Sequence, residues 1–142
     1  TVVLGRGFNY STAFEGALKL KELAYVKAEP YSSADFQHGP IAMMESGFPV
    51  MTVAPRGKVF ESMLEMLKRL RKELSAELVV ISNDKKALSL ASLPLSIPAD
   101  VPEWLSPLIC ILPAQMFTYH LTQAKGYNTE QPRSIHKVTE TT

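Results

Sequence analysis

Short apolar runs alternate with longer stretches in which apolar residues recur every three or four positions. Residues 1–4 form a β-branched run that ends at Gly5-Arg6-Gly7. A helix is predicted from about residue 11 to residue 25, with Ser11 or Thr12 available as its N-cap. A second strand is expected over residues 26–31. A loop carrying Ser32, Ser33, Asp35, His38, Gly39 and Pro40 follows, then a short helical turn over residues 41–45. Residues 49–54 read as a continuous apolar strand, stopped by Pro55-Arg56-Gly57. The clearest helix places Phe60, Met63, Leu64, Leu67, Leu70 and Leu74 on one stripe, with Glu61, Lys68, Arg69 and Lys72 on other faces. Residues 77–82 are a central-strand candidate closed by Asn83-Asp84, and residues 93–97 a weaker strand between prolines. A long apolar helix is expected from residue 104 or 105 to residue 125, with a bend at Pro113. The tail from residue 128 to residue 142 is polar and aperiodic.

Strands that are apolar throughout, alternating with helices, imply an α/β fold: a parallel sheet covered by helices on both faces. Ligands of such sheets bind beyond the carboxyl ends of the strands. Gly5-Arg6-Gly7 and the loop at residues 32–40 are both expected at that rim.

Composition narrows the class. The 142 residues suffice for one domain, and 46% hydrophobic with 20% charged residues is ordinary for a globular chain. A net charge of +1 gives no electrostatic footprint for nucleic acid or an acidic membrane. Residues 104–121, the longest apolar stretch, contain two prolines, Gln115 and His120, so they suit a buried helix better than a membrane span. The single Cys110 excludes an internal disulfide framework, which makes a reducing cytoplasm the default location. The opening Thr-Val-Val-Leu shows no secretory leader, and the start on a strand without Met suggests a fragment.

Candidate chemistry concentrates on the first helix. Glu15, Lys19 and Glu22, at i, i+4 and i+7, share one narrow face. Two carboxylates around an ammonium can shuttle a proton; the same spacing also makes an ordinary solvated ladder. Gly5 and Gly7 read equally as a tight turn and as a place of close ligand approach. Tyr10 stands where a dinucleotide fingerprint needs its third glycine, and phosphate-loop, zinc-protease and nucleophile-elbow motifs are absent. His38, His120 and His136 are far apart in sequence, which gives a metal site little support. Cys110 and the methionines read as packing residues, and His120 as a hydrogen-bonded helix residue. Arg133 suits a carboxylate or a phosphate equally.

Four ordered motifs carry a resemblance: Leu4-Gly-Arg-Gly7, Glu15-Gly-Ala-Leu-Lys-Leu-Lys-Glu22, His38-Gly-Pro40 and Gln131-Pro-Arg-Ser-Ile-His-Lys137. The set resembles the sugar isomerase (SIS) family, in particular the second SIS domain of enzymes that interconvert fructose 6-phosphate and glucosamine 6-phosphate. The resemblance implies a three-layer α/β/α sandwich with a Rossmann-like sheet, formed by residues 1–142 as the C-terminal SIS domain of a two-SIS-domain parent. It also implies a hexose phosphate substrate, no cofactor and no metal, and a homodimer in which a preceding SIS domain completes the site.

Position by position, Lys137 matches the lysine that forms an imine with the keto sugar, a role that suits a deprotonated amine. His38 matches the histidine of ring opening, which the family can supply across a dimer interface. Glu22 matches the base that moves a proton between C1 and C2. Glu15 and Lys19 match neighbours that assist hydroxyl binding and proton relay, and Gly5, Gly7 and Arg133 are expected against the substrate. The family's phosphate-gripping loop belongs mainly to the first SIS domain and its glutamine-hydrolysing cysteine lies elsewhere, so half a site is expected here. Residues 28–36 and the ending Lys137-Val-Thr-Glu-Thr lean toward SIS-type deaminases, with glutamine-dependent synthases and a non-catalytic sugar-phosphate sensor as alternatives.

Overall fold

The computed structural model describes residues 1–133. The apolar runs become five strands: β1 (Val2–Gly5), β2 (Glu29–Ser32), β3 (Pro49–Val53), β4 (Glu77–Ser82) and β5 (Leu93–Ser96). They form one sheet in the order β2-β1-β3-β4-β5, and every pairing is parallel. Both edge strands carry a proline, Pro30 in β2 and Pro94 in β5. Proline has no N–H to give a ladder, so it is tolerated at an edge, where it also discourages further pairing.

Successive strand side chains point to opposite faces, and the helices divide accordingly. Val2, Leu4, Val50, Leu78 and Val80 pack under α3 (Phe60–Lys72), which contributes Phe60, Met63, Leu64, Leu67 and Leu70. The short helices α2 (Ser33–Phe36) and α4 (Lys85–Leu88) send Phe36 and Ala87 into the same layer. On the other face Val3, Met51, Val53 and Ile81 meet α1 (Tyr10–Glu22) and α5 (Ser106–Ala124). Helix α1 sits close to the sheet because its inner face is small: Ala13, Gly16 and Ala17. A Cβ on Gly16 would touch Val3 Cγ1 at 3.7 Å and Ala114 Cβ at 3.8 Å, so β1, α1 and α5 meet there.

The sequence-based boundaries shift in several places; α1 starts at Tyr10, with Asn9 rather than Ser11 or Thr12 at its N-cap, and ends at Glu22 rather than residue 25. β2 starts at Glu29 rather than residue 26, because Val26 is used to close α1 by donating its N–H to the Leu20 carbonyl at 3.0 Å. The expected loop at residues 32–40 contains α2, whose N-cap Ser32 accepts the Ala34 N–H at 3.2 Å. The expected turn at residues 41–45 is a 3₁₀ turn over Pro40–Met43. Helix α5 continues through Pro113. Among the described residues no helix is long and apolar enough to cross a membrane.

Candidate active site

In a sheet of this order the strand sequence reverses between β1 and β3, and the crevice beyond their carboxyl ends is where a ligand ordinarily binds. Here that crevice is filled from within. Glu103 reaches across it and its Oε1 accepts the Lys58 N–H at 2.9 Å. Asn9 is buried, donating from Nδ2 to Ser106 Oγ at 2.7 Å and accepting the Thr12 hydroxyl at 3.1 Å. The neighbouring arginines are also engaged, Arg6 Nη1 donating to Ser62 Oγ at 3.0 Å and Arg56 Nε lying 2.9 Å from Asp84 Oδ2. Gly5 and Gly7 line this end. A Cβ on Gly5 would collide with the Asn9 carbonyl oxygen, and Gly7 has φ +59°, so both glycines have a reason in the turn itself.

Because β1 and β2 are parallel, α1 must carry the chain from the carboxyl end of β1 back to the amino end of β2. Its three polar residues therefore descend away from the crevice. Lys19 Nζ lies 2.8 Å from Glu22 Oε2 and 3.5 Å from Glu15 Oε1, so one ammonium bridges both carboxylates. The hydrogen bond to Glu22 is the first cause that raises the Lys19 pKa; burial opposes it and the charge of Glu15 adds to it. All three side chains are about two-thirds covered yet keep an open side, at 40%, 28% and 34% exposure for Glu15, Lys19 and Glu22. A shallow groove beside Glu15 is lined by Ser11, Phe14, Leu18, Lys21 and Pro30.

Thirteen helical residues separate the two ends of α1 by about 18 Å. Gly5 and Gly7 thus stand at one end and Glu22 at the other, farther apart than a single hexose phosphate reaches. The structure does not gather all the expected site residues into one cleft. What it gathers at the foot of α1 is different. The Arg133 N–H donates to Tyr25 Oη at 2.7 Å, and the guanidinium lies 4.8 Å from the ring centres of both Tyr25 and Tyr127. Arg133, expected to meet a carboxylate or a phosphate, instead sits against two aromatic rings, in contact with Tyr25 although 108 positions away in sequence.

His38 lies on the opposite side. Its neighbours Phe36 and Ile41 pack into the layer under α3, on the opposite face of the sheet from the one that α1 covers. The His38 ring is exposed and makes no hydrogen bond to a described residue. His120, expected to be hydrogen-bonded, is instead exposed on α5 and packs edge-on to Tyr119 at 5.3 Å. Lys137 and His136 fall outside the described residues. Burial pushes the Cys110 thiol up to about 12, which leaves it inert in the core. No group of three or more His, Cys, Asp or Glu side chains able to hold a metal gathers among the described residues. Tyr25 and Tyr127 carry little sequence signal: Tyr25 takes the left-handed position past α1 that Gly or Asn usually fills, while Tyr127 follows an ordinary Gly126 at the end of α5.

The SIS domain family matches residues 1–124. The chain is 42% identical over 134 residues to a glutamine–fructose-6-phosphate aminotransferase (isomerizing) of Pyrococcus horikoshii, and 34% identical over 137 residues to that of Bacteroides thetaiotaomicron. These matches take in 94% and 96% of this chain but 22% of each relative. Among solved structures, the C-terminal domain of glucosamine-fructose-6-phosphate aminotransferase from Francisella tularensis superposes with a TM-score of 0.81 at 31% identity, covering 92% of this chain and 37% of that one. Glucosamine-6-phosphate deaminase from Thermotoga maritima superposes with a TM-score of 0.70 at 28% identity, covering 96% and 39%. Taken with the parallel five-stranded sheet between two helical layers, these matches show that the chain belongs to the SIS domain family.

Proposed function

We propose that this chain is the C-terminal SIS module of an enzyme that makes glucosamine 6-phosphate from fructose 6-phosphate, and that it supplies the groups for the isomerising step. The observation that carries the reading is the bridged set on α1, with Lys19 Nζ 2.8 Å and 3.5 Å from two carboxylates on a half-open face. An open-chain ketose activated at C2 as an imine, formed with loss of water, has acidic hydrogens at C1. Glu22 takes one of them, electrons move into a C1–C2 double bond as the imine nitrogen accepts a proton, and return of the first proton to C2 with loss of the O1 proton leaves an aldehyde at C1 and an amine at C2. Lys19 holds the Glu22 carboxylate in place and Glu15 holds Lys19, so the base is oriented before the sugar arrives. Lys137 is the amine for the first imine, ammonia then displaces it at C2 to give the imine that isomerises, and His38 is the ring-opening acid–base. The packing of the His38 segment and of α1 on opposite faces of the sheet supports supply of His38 by a second copy.

A preceding SIS module would grip the phosphate, consistent with a switch-point crevice here that is plugged by Glu103. That module has a surface to meet: Leu108, Leu112, Met116 and Tyr119 make an exposed stripe at helical spacing on α5, and Phe14 and Leu18 extend it on α1. Identity of 34–42% to the aminotransferases named above favours amino transfer from glutamine. The 28% identity to the deaminase structure keeps the ammonia-releasing reaction as the second reading.

The test is to incubate the full-length polypeptide with fructose 6-phosphate and glutamine, and separately with glucosamine 6-phosphate alone. Glucosamine 6-phosphate formed in the first tube is the expected result. Ammonia and fructose 6-phosphate in the second tube alone would transfer the assignment to a deaminase, and inactivity in both would refute the catalytic reading.

A further inference from the structure

The cluster at the foot of α1 and α5 is built more elaborately than a chance contact of a chain terminus. Helix α1 ends through Tyr25, whose φ of +52° lies in the left-handed region that glycine fills most easily. Helix α5 ends through Gly126 at φ +74°, with the Tyr127 N–H returning to the Thr122 carbonyl at 3.0 Å. The two closures set the Tyr25 and Tyr127 rings edge to face, with centroids 4.9 Å apart. The chain then reverses at once: Asn128 Oδ1 accepts the N–H groups of Glu130 and Gln131 at 2.8 and 3.2 Å. That turn returns Arg133 to the ring pair, where its guanidinium lies 4.8 Å from each centroid and its N–H donates to Tyr25 Oη at 2.7 Å. Lys125 Nζ lies 5.4 Å from the Tyr127 centroid as well, so two cations share that ring.

We propose that Tyr25, Tyr127 and the turn at Asn128 form a clamp on Arg133 that sets where the C-terminal segment carrying Lys137 leaves the domain. The inference rests on the proposed function, in which Lys137 forms an imine, and assigns positioning residues to that step. Tyr25 is three residues beyond Glu22, and Lys137 is four residues beyond Arg133. Four residues span at most about 14 Å in any conformation. Without the clamp the tether would begin at Tyr127, ten residues before Lys137, and could span about 35 Å; the clamp shortens it to four residues that start beside Tyr25, at the end of α1 that presents the proposed base. A glycine at position 25 would fit the backbone better, so the strained position is explained by the ring and hydroxyl that only tyrosine supplies there. A guanidinium is also the cation suited to lying flat on a ring, which separates Arg133 from a lysine at the same position.

Two readouts on the full-length polypeptide test this. The first is independent of catalysis: the rate at which trypsin cuts after Arg133 in the native protein. Tyr127→Ala should speed the cut about tenfold, the scale of one lost cation–π contact with its ring neighbour, while Tyr127→Phe, which keeps the ring, should match the parent. The second is borohydride trapping of the fructose 6-phosphate imine on Lys137, with steady-state kinetics alongside. Tyr127→Ala should lower trapping and kcat together by a similar factor with KM little changed, and Tyr127→Phe should restore both. Cleavage equally fast in the parent and in Tyr127→Ala would overturn the clamp. A change in cleavage without any imine on Lys137 in the parent would leave an anchor but refute its role in positioning, and would refute the imine reading separately. Loss of activity in Tyr127→Ala that tracks a lowered melting temperature, with normal trapping in the folded fraction, would reduce the pair to packing residues.

Discussion

Gly5 and Gly7 stand two residues apart at the same turn, yet their replacement by alanine should have unequal effects. A Cβ on Gly5 would run into the Asn9 carbonyl, with the carbonyl carbon at 2.9 Å and Ala13 Cβ at 3.1 Å. The obstacle is backbone and it cannot retreat freely. Asn9 is tied by its N–H to Arg6 O at 3.2 Å, by Nδ2 to Ser106 at 2.7 Å and by Oδ1 to Thr12 at 3.1 Å. Forcing a methyl into a packed site costs about 1–3 kcal/mol, and a backbone obstacle held by buried hydrogen bonds places Gly5→Ala near the top, at about 3 kcal/mol. At Gly7 the only neighbours among the described residues are the Val59 methyls at 3.6 and 3.7 Å, so the penalty of Gly7→Ala is that of the left-handed backbone. That is about 1 kcal/mol. At roughly 2–4 °C per kcal/mol, melting should fall by about 6–12 °C for Gly5→Ala and about 2–4 °C for Gly7→Ala. Thermal denaturation followed by circular dichroism, with both variants measured side by side, reads this directly. A Gly7→Ala variant as unstable as Gly5→Ala, or a Gly5→Ala variant within 2 °C of the parent on the scale above, would refute the close-approach argument.

Two further predictions concern single side chains. Burial alone would raise the Asp84 pKa, but hydrogen bonds from Arg56 and from the Lys86 and Ala87 N–H groups outweigh it and hold the carboxyl below its ordinary 3.8. Its contribution is therefore present above that ordinary value and lost as pH falls through the folded value. Asp84→Asn should cost about 1–2 kcal/mol at pH 7 in urea melts, and the gap from the parent should close in acid; a gap unchanged by acid would contradict the assignment. Cys110, with its thiol pushed up to about 12, should resist iodoacetamide in the folded protein and react once urea unfolds it. Labelling of the native protein at a free-thiol rate would mean that the α1–α5 layer opens.

The sheet and its helical layers were legible because the relevant signals are local. Short apolar runs at residues 1–4, 49–54 and 77–82, with β-branched residues, read as buried strands, and the 3–4 spacing of Phe60, Met63, Leu64, Leu67 and Leu70 fixes α3. The four-residue helices α2 and α4 were not legible, since one turn leaves no periodicity and only Ser32 and Asp84 mark their caps. The Glu15–Lys19–Glu22 face was readable because one helix makes it. Its distance from Gly5 was not, because the direction in which α1 leaves the rim is a property of the parallel sheet. The Tyr25–Tyr127–Arg133 cluster joins residues 108 positions apart and has no local signature. The plugged crevice is likewise tertiary, since Glu103 meets Lys58 across 45 residues.

The central claim is that Glu22 moves the proton between C1 and C2. The most direct measurement is wash-in of solvent deuterium at C1 of fructose 6-phosphate, followed by proton NMR, in the full-length polypeptide and its Glu22→Gln variant. The parent should exchange the C1 hydrogen, and Glu22→Gln should lose the exchange while still binding the sugar. Exchange by Glu22→Gln at the parent's rate would contradict the account.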